Sequence, residues 1–207
     1  MPPPIADLLQ AIGRRRRYQR GSFLFHAGDE ALGIHVVLEG RIRVRRSAPS
    51  GRTVVVHHET AGGILGEIPL FDGRRYPATA QAAEPSVCAL LPRQPLLRRL
   101  EDDPSLARFF LTRLAGRLRE VIGRLDSMAT RSVAQRLARH LLARWRASGS
   151  TRVSLGMTQE ELAEELGTVR EVIVRELRLL CRAGVLTSLG HGLYEVQDGR
   201  TLRALAE

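Results

Sequence analysis

The stretch that most constrains the fold is residues 158–180, which predict two short helices joined by a tight turn. Thr158 and Glu161 have the Thr-x-x-Glu spacing of a capping box, in which each residue caps the other at a helix start. Gly167 allows the sharp turn that ends this first helix. The same spacing recurs ten residues later, so a second helix is predicted to begin at Thr168.

The second helix has one apolar face and one charged face. Three residues at helical spacing are predicted to be buried, namely Ile173, Leu177 and Leu180. Its first two turns carry outward charges at Arg170, Glu171 and Arg175. A helix that enters the major groove reads bases with its N-terminal residues. The pattern favours a helix-turn-helix that binds DNA over its alternative, a helical hairpin with a solvated charged face.

The segment that follows adds a hairpin to this motif. Residues 181–196 contain the β-rich runs VLTSL and LYEV on either side of Gly190-His191-Gly192. Two such runs separated by a glycine-rich turn indicate a β-hairpin. The C-terminal part is therefore predicted to be a winged helix-turn-helix.

The charge of the chain agrees with a nucleic-acid partner. The net charge is +10, and every basic side chain other than histidine is arginine. The segment from Arg131 to Arg152 contains six arginines and no acidic residue. A basic stripe next to a helix-turn-helix is the expected electrostatic footprint on DNA. The run Arg14–Arg17 is interpreted as a solvated surface.

Cysteine content and hydropathy exclude several classes of protein. Cys88 and Cys181 lie far apart without a CxxC pattern, which argues against a disulfide framework or a zinc site. No apolar run approaches the ~20 residues needed to span a bilayer. The N-terminus lacks a signal-peptide pattern. We expect no membrane association and a cytoplasmic location.

The first half of the chain has the pattern of an antiparallel barrel. After a short helix at 5–12, residues 18–91 consist of short strand-like runs with turns at Ala27-Gly28-Asp29, Pro49-Ser50-Gly51, Gly62-Gly63 and Asp72-Gly73-Arg74. Strands at this spacing predict a small β-roll or jelly roll.

Residues 103–130 predict a long helix with a heptad pattern. Six apolar residues are spaced alternately three and four apart: Leu111, Leu114, Leu118, Val121, Leu125 and Met128. This stripe favours a dimer interface; the alternative is a helix lying on the core of its own domain. Ser132 is expected to cap the helix that follows.

The order of barrel, long helix and winged helix-turn-helix resembles the CRP/FNR family of bacterial transcription regulators. The residues that carry the resemblance are Gly28, Gly40, Gly51 and Gly62, the segment GEIPLFDG at 66–73, and TVREVIVREL at 168–177. It implies an α+β fold with a cyclic-nucleotide-binding-like barrel at 1–104, a dimerisation helix at 105–131 and a winged helix-turn-helix at 132–207.

The resemblance also implies a function and its partners. The chain would be a homodimer that binds double-stranded DNA and RNA polymerase, and it would not be an enzyme. The candidate DNA-binding residues are Thr158, Thr168, Val169, Arg170, Glu171 and Arg175. By resemblance Arg170 contacts guanine, Glu171 a cytosine amino group, and Arg175 a base or phosphate, which implies a palindrome of TGTGA-like half-sites.

The candidate effector pocket departs from the cAMP-binding members of the family. Its residues by resemblance are His57, Gly66, Glu67, Arg75, Tyr76, Pro77, Ala78, Val121 and Ile122. Those members have Arg-Ser-Ala where this chain has Tyr76-Pro77-Ala78, and Thr-Ser where it has Val121-Ile122. In an extended segment Arg75 would point to the opposite face. cAMP is therefore disfavoured, although Glu67 could still bind a ribose hydroxyl or else cap a turn.

Other cofactors find less support. An iron–sulfur cluster needs about four cysteines, and the chain has two. The haem-binding members use an N-terminal proline and a histidine after the Gly-Glu pair; Pro2 is present, but 66–76 contains no histidine. We therefore expect no cofactor, no metal and no catalytic residue. The alternatives are a cAMP- or haem-responsive regulator, a nucleotide-binding module that acts through protein contacts, and a metal-binding cupin-like enzyme, supported only by the segment VHHE at 56–59.

Overall fold

The computed structural model describes residues 3–48 and 53–207. The chain divides into two compact units. The first comprises the residues up to Arg46 together with Val55–Val121; the second comprises Ile122–Glu207 with the described residues of Ser47–Val54. The turn predicted at Pro49-Ser50-Gly51 lies outside the described residues.

Two four-stranded sheets form the N-terminal half. The elements in chain order are α1 Pro3–Ile12, β1 Arg14–Tyr18, β2 Phe23–Phe25, β3 Gly33–Glu39, β4 Arg41–Ser47, β5 Thr53–Thr60, β6 Ile64–Leu65, α2 Glu67–Asp72, β7 Thr79–Ala82 and β8 Ser86–Pro92. One sheet has the order β1-β8-β3-β6 and the other β2-β7-β4-β5. The strand pairs with a described register are antiparallel. The predicted antiparallel β-roll is therefore confirmed.

The register of β3 and β8 explains how the roll is filled. Val37 is paired with Cys88, and both lie in the cluster between the sheets, because side chains of directly paired residues share a face. The preceding pair, Val36 and Ala89, points to the other face and packs with the helices. Strand β3 is buried over its first five residues, since it contributes to a core on each face.

Helices α3 (Arg93–Asp102) and α4 (Pro104–Thr130) follow the roll. The first of them is not among the predicted elements, although two prolines mark its start. Pro92 is the N-cap of α3 and Pro95 lies in its first turn, where the missing N–H would have no helical partner in any case. Asp103 caps the long helix by accepting from the Ser105 N–H at 3.0 Å.

The arginine run Arg14–Arg17 forms most of the edge strand β1, paired with β8. Its four side chains are exposed, whereas the following Tyr18 is buried. The expectation of a solvated surface is met, but the run is regular structure rather than a loop. Charged side chains on an edge strand also discourage pairing with other chains.

The C-terminal unit is a small helical domain with one sheet. Its elements are α5 Val133–Ser148, β9 Arg152–Ser154, α6 Gln159–Leu166, α7 Arg170–Arg182, β10 Leu186–Gly190, β11 Leu193–Val196 and α8 Gly199–Leu205. The hairpin β10–β11 confirms the predicted wing, and β9 adds a third strand beside β11. His191 at its turn is the one described non-glycine residue with positive φ, at 48°.

Two of the predicted helix caps are confirmed. Thr158 accepts from the Glu161 N–H at 3.1 Å, and the Glu161 carboxylate accepts from the Thr158 N–H at 2.8 Å. Ser132 and Gln135 form the same reciprocal pair at the start of α5. Each box satisfies two backbone N–H groups that the helix itself leaves unpaired.

The second capping box, predicted at Thr168 and Glu171, is wrong. The Thr168 N–H donates to the Ala163 oxygen at 2.9 Å and thereby closes the end of α6, after Gly167 in the left-handed conformation. Val169 is consequently the N-cap of α7 and offers no side-chain hydrogen bond. The spacing of residues in the sequence could not show that Thr168 closes the end of α6 and so does not cap α7.

Among the described residues, no helix combines the length and apolar character that crossing a bilayer requires.

Candidate nucleic-acid interface and ligand cavity

Helix α7 buries one face and presents a charged one. Ile173 and Leu177 lie in the core of the C-terminal unit. Arg170, Glu171 and Arg175 are exposed on the first two turns. Long side chains on the exposed face of a packed helix can reach a molecule that lies along that face. These three residues offer both guanidinium donors and a carboxylate acceptor.

Arg175 is held by a neighbour on its own helix. Its Nε and Nη2 donate to the Glu176 Oε1 at 3.2 and 2.9 Å. The Arg175 side chain is 64% exposed, whereas that of Glu176 is 14% exposed. Arg175 therefore presents its guanidinium to solvent while one of its edges is held by Glu176.

Of the other candidate contact residues, Thr158 lies at the start of α6, and Thr168 and Val169 lie at the junction of α6 and α7. Thr158 is exposed, but its hydroxyl is used as the cap of α6. Thr168 is half-buried and Val169 is 45% exposed. The turn therefore offers backbone groups and an apolar side chain rather than a set of polar side chains.

Part of the basic stripe on α5 is engaged within the unit. The Arg136 guanidinium donates to the Leu166 oxygen at 3.1 Å and to the Arg131 oxygen at 2.6 Å. Arg144 donates to the Ser154 oxygen at 2.5 Å. These arginines tie α5 to its neighbouring segments, so net charge in the sequence overstates the number of guanidinium groups that can meet phosphate.

A cavity of about 220 Å³ lies in the first unit beside α2. Six candidate effector residues line it: His57, Gly66, Glu67, Tyr76, Pro77 and Ala78. Arg75, Val121 and Ile122 do not line it. The remaining lining is largely apolar and includes Phe25, Val44, Val56 and Leu65. We call this space the ligand cavity.

Tyr76 is a wall of the ligand cavity. It is buried, its ring stacks on Phe25, and its hydroxyl donates to the Gly33 oxygen at 3.1 Å. Burial raises the pKa of Tyr76 to about 12, so the hydroxyl remains a donor at neutral pH. Pro77, which follows it, has no N–H to offer a ligand.

The Arg75 side chain points away from the ligand cavity. Its Nη1 donates to the Gly28 oxygen at 2.8 Å, and its side chain is exposed. Two backbone hydrogen bonds, from the Gly28 N–H to Tyr76 and from the Tyr76 N–H to Asp29, fix the same segment against the turn. The guanidinium therefore supports this turn and does not face the ligand cavity.

Glu67 belongs to a cluster of ion pairs. Arg113 of α4 donates to the Glu67 carboxylate at 3.4 Å and to the Glu59 carboxylate at 3.1 Å, and Arg117 also donates to Glu59. Burial raises the pKa of both carboxyl groups, and the two guanidinium groups oppose that rise. The carboxylate expected to meet a ribose hydroxyl or to cap a turn is thus bound to α4.

The apolar stripe on α4 is exposed in the single chain at several positions. Leu111, Leu118 and Leu125 are 67%, 61% and 62% exposed. Met128 is also exposed, whereas Leu114 and Val121 are half-buried. Ile122, expected in the effector pocket, is 57% exposed. Apolar side chains this exposed on one helix are typical of an interface.

The residues that the structure describes contain no group of three or more histidine, cysteine or acidic side chains that could hold a metal ion. His57 lines the ligand cavity, and its neighbour His58 does not. Cys88 is buried between the sheets, and this burial raises the pKa of its thiol to about 12. A thiol in this environment packs as an apolar group.

Comparison with known proteins agrees with this architecture. The model of the cyclic nucleotide-binding domain matches residues 15–103, and that of the Crp-like helix-turn-helix domain matches residues 135–205. The cyclic AMP receptor protein of Thermus thermophilus is 30% identical over 208 residues, covering 99% of this chain and 93% of the relative. The chain belongs to the CRP/FNR family of transcription regulators.

Two further matches support the family assignment and the fold. The transcriptional regulator SdrP of Thermus thermophilus is 30% identical over 201 residues, covering 91% of this chain and 95% of that protein. The crystal structure of a CRP/FNR-family regulator from Eubacterium rectale superposes with a TM-score of 0.83 at 19% identity, covering 100% of this chain and 95% of the other.

Several residues of this CRP/FNR-family chain near the ligand cavity are absent from the candidates chosen by sequence. Phe25 and Arg46 line it, and Arg113 with Arg117 binds the acidic residues beside it. The spacing of four between these two arginines places them on one side of α4. That signal was available in the sequence, but their partner Glu59 could be found only from the fold.

Proposed function

We propose that the chain is a homodimeric, sequence-specific DNA-binding regulator that places α7 in the major groove of a palindrome with TGTGA-like half-sites. The observation that supports this most directly is the exposure of Arg170, Glu171 and Arg175 on a helix whose other face is buried. Arginine matches the O6 and N7 acceptors of guanine, and glutamate accepts from the amino group of cytosine. Thr158 at the start of α6, with Thr168 and Val169 immediately before α7, would complete the contacts.

The proposed dimer forms along α4. The exposed side chains of Leu111, Leu118, Leu125 and Met128 support it, with Leu114 and Val121 at its margin. Two recognition helices on one side of DNA then meet half-sites about 34–36 Å apart. In this proposal residues 1–104 sense, 105–131 dimerise and 132–207 bind DNA, and the regulator acts in the cytoplasm on RNA polymerase rather than as an enzyme.

We further propose that DNA binding does not require cAMP. Arg75 is directed to Gly28, Pro77 has no N–H, and Glu67 is paired with Arg113. The nonpolar lining of the ligand cavity also offers few partners for a cyclic phosphate. Any effector of this cavity would present apolar surface to Phe25 and Tyr76.

A cAMP-responsive regulator is the second candidate. It is favoured by the name of the Thermus thermophilus relative, a cyclic AMP receptor protein, and by the cAMP-activated regulator of Haemophilus influenzae at 24% identity over 182 residues. Arg46 lines the ligand cavity and supplies a guanidinium that could meet phosphate in place of Arg75.

Fluorescence anisotropy distinguishes these candidates. A labelled palindrome of TGTGA-type half-sites is titrated with the protein, with and without cAMP, and a duplex of equal length with scrambled half-sites is the control. We expect the same tight binding in both conditions, a clear preference over the scrambled duplex, and a steep loss of affinity as salt rises.

Each other outcome decides against part of the proposal. Binding only with cAMP would establish the second candidate. Equal affinity for the palindrome and the scrambled duplex would contradict the proposed half-site. Absence of binding to either duplex in both conditions would contradict the proposed function.

A further inference from the structure

A second cavity of about 400 Å³ lies in the first unit, at the end of the roll next to strand β1. Phe25 and Tyr76 line both this space and the ligand cavity, so their stacked rings separate the two. Three consecutive arginines from β1 line it, namely Arg14, Arg15 and Arg16. We call it the arginine cavity. None of the family-derived candidates except Tyr76 lies in it.

Strand register places an arginine and a buried histidine on the same side of one sheet. Arg14 is paired with Leu90, and Leu90 is paired in turn with His35. Directly paired residues share a face, so all three side chains project from the face that also carries Val37 and Cys88, with Arg14 at the exposed edge of the sheet. Arg16 lies on that face too, because side chains of a strand alternate; its guanidinium carbon is 5.4 Å from the ring centre of Tyr18.

His35 is a buried residue of the arginine cavity with an unsatisfied hydrogen-bonding atom. It is 8% exposed, and its Nδ1 has no hydrogen-bond partner among the described residues. Its described contacts are with the rings of Phe25 and Tyr76, at centroid distances of 5.4 and 6.5 Å. Buried polar side-chain atoms are normally hydrogen-bonded, so an unpaired imidazole nitrogen inside a lined cavity indicates a site that a ligand completes.

Two of the arginines that line the cavity have no described partner for their side chains. The guanidinium groups of Arg14 and Arg15 form no hydrogen bond or ion pair in the described part of the chain, whereas that of Arg16 lies over the Tyr18 ring. Asp29 and Glu30 stand at the rim, and the Asp29 carboxylate already accepts from the His26 N–H at 2.8 Å. Arg14 and Arg16 share the face that carries His35, whereas Arg15 alternates to the opposite face. Planar guanidinium groups bind carboxylate and phosphate with paired hydrogen bonds.

We propose that the arginine cavity binds a small organic anion through its carboxylate or phosphate group, with Arg14 and Arg16 holding the charge and His35 donating from its ring. The remainder of the ligand would lie against Phe25 and Tyr76. The site therefore adjoins the ligand cavity through a shared aromatic wall. This proposal does not rest on DNA binding or on the identity of any effector.

The test follows the imidazole signals of the full-length protein by ¹H–¹⁵N NMR at pH 7.5. Sodium phosphate and sodium succinate are added in separate titrations, with sodium chloride adjusted to keep the ionic strength constant. The variant His35→Gln identifies the His35 signal among the six histidines. We expect a saturable shift of this signal with at least one anion. Phosphate alone would identify the ligand group as a phosphate, and succinate alone would identify it as a carboxylate.

Two arginine variants provide the matched comparison. Arg14→Gln removes a charge from the cavity, whereas Arg17→Gln removes one from an exposed position of the same strand outside it. Calorimetry on both variants measures affinity without relying on the His35 signal. Loss of one charge-assisted contact should weaken binding about tenfold in Arg14→Gln, with little change in Arg17→Gln. Equal effects in the two variants, or absence of saturation with both anions, would overturn the proposal.

Discussion

The rings of Phe25 and Tyr76 stack with their centroids 3.7 Å apart and their planes 10° from parallel. Tyr76 is also tied to β3 by the hydrogen bond from its hydroxyl to the Gly33 oxygen. The stack forms a wall of two cavities. A substitution of either ring therefore alters the wall of both cavities and the packing in the core of the roll.

The variant Tyr76→Phe should lower the free energy of unfolding by about 1 kcal/mol, because it removes the hydroxyl donor and leaves the ring in place. Urea denaturation followed by circular dichroism measures this. The slope with denaturant should stay constant, since the surface exposed on unfolding is unchanged. A loss well above this value would show that the variant disturbs the stack itself.

The variant Arg170→Ala should weaken binding to the specific palindrome by about 1–3 kcal/mol and change binding to random DNA little, because a base contact is lost. Arg200→Ala is a suitable control, since Arg200 is exposed on α8, outside the surface that Arg170, Glu171 and Arg175 share. Anisotropy titrations on both duplexes give the two free energies. Equal losses on specific and random DNA would assign Arg170 to phosphate contact only.

If the proposed dimer forms along α4, polar replacements at Leu118 and Leu125 should convert it into monomers, because these exposed side chains would no longer exclude water from the interface. Sedimentation velocity detects the change directly. Leu189→Gln is the control, as it replaces a leucine that is 42% exposed on the wing. An unchanged sedimentation coefficient for the α4 variant would place the dimer contact elsewhere.

Acidification should destabilise the fold through His35. Burial lowers the pKa of His35 to about 4 from 6.5, so the unfolded chain binds a proton in this range more readily than the folded one. Stability that is present above pH 6.5 is then lost as the pH falls toward 4. For this residue alone the loss between pH 7 and pH 5 is about 2 kcal/mol.

The pH effect is isolated by comparing two proteins. Urea denaturation at several pH values is carried out on the natural sequence and on His35→Gln, and the difference between the two profiles removes the contributions of other titrating groups. We expect the variant to lose less stability between pH 7 and pH 5. Parallel profiles would mean that His35 titrates in the folded protein as it does in the unfolded chain.

The sequence by itself determined the elements whose information is local. The box of Thr158 and Glu161 and the cap at Ser132 were predictable because the bonding partners lie three residues apart. The short strand-like runs separated by glycine turns likewise indicated the strands of the roll, and the run around His191 indicated the wing. In each case the interaction that stabilises the element is contained in the few residues that form it.

Only the tertiary structure decided what depends on residues distant in sequence. Thr168 looked like a helix cap, but its N–H is used to close α6. Glu67 looked like a ligand contact, but Arg113, 46 residues later, takes its carboxylate. Arg14 and His35 share one face only because both strands pair with β8. Backbone hydrogen bonds and burial fix these relationships, and neither is expressed in the spacing of residues along the chain.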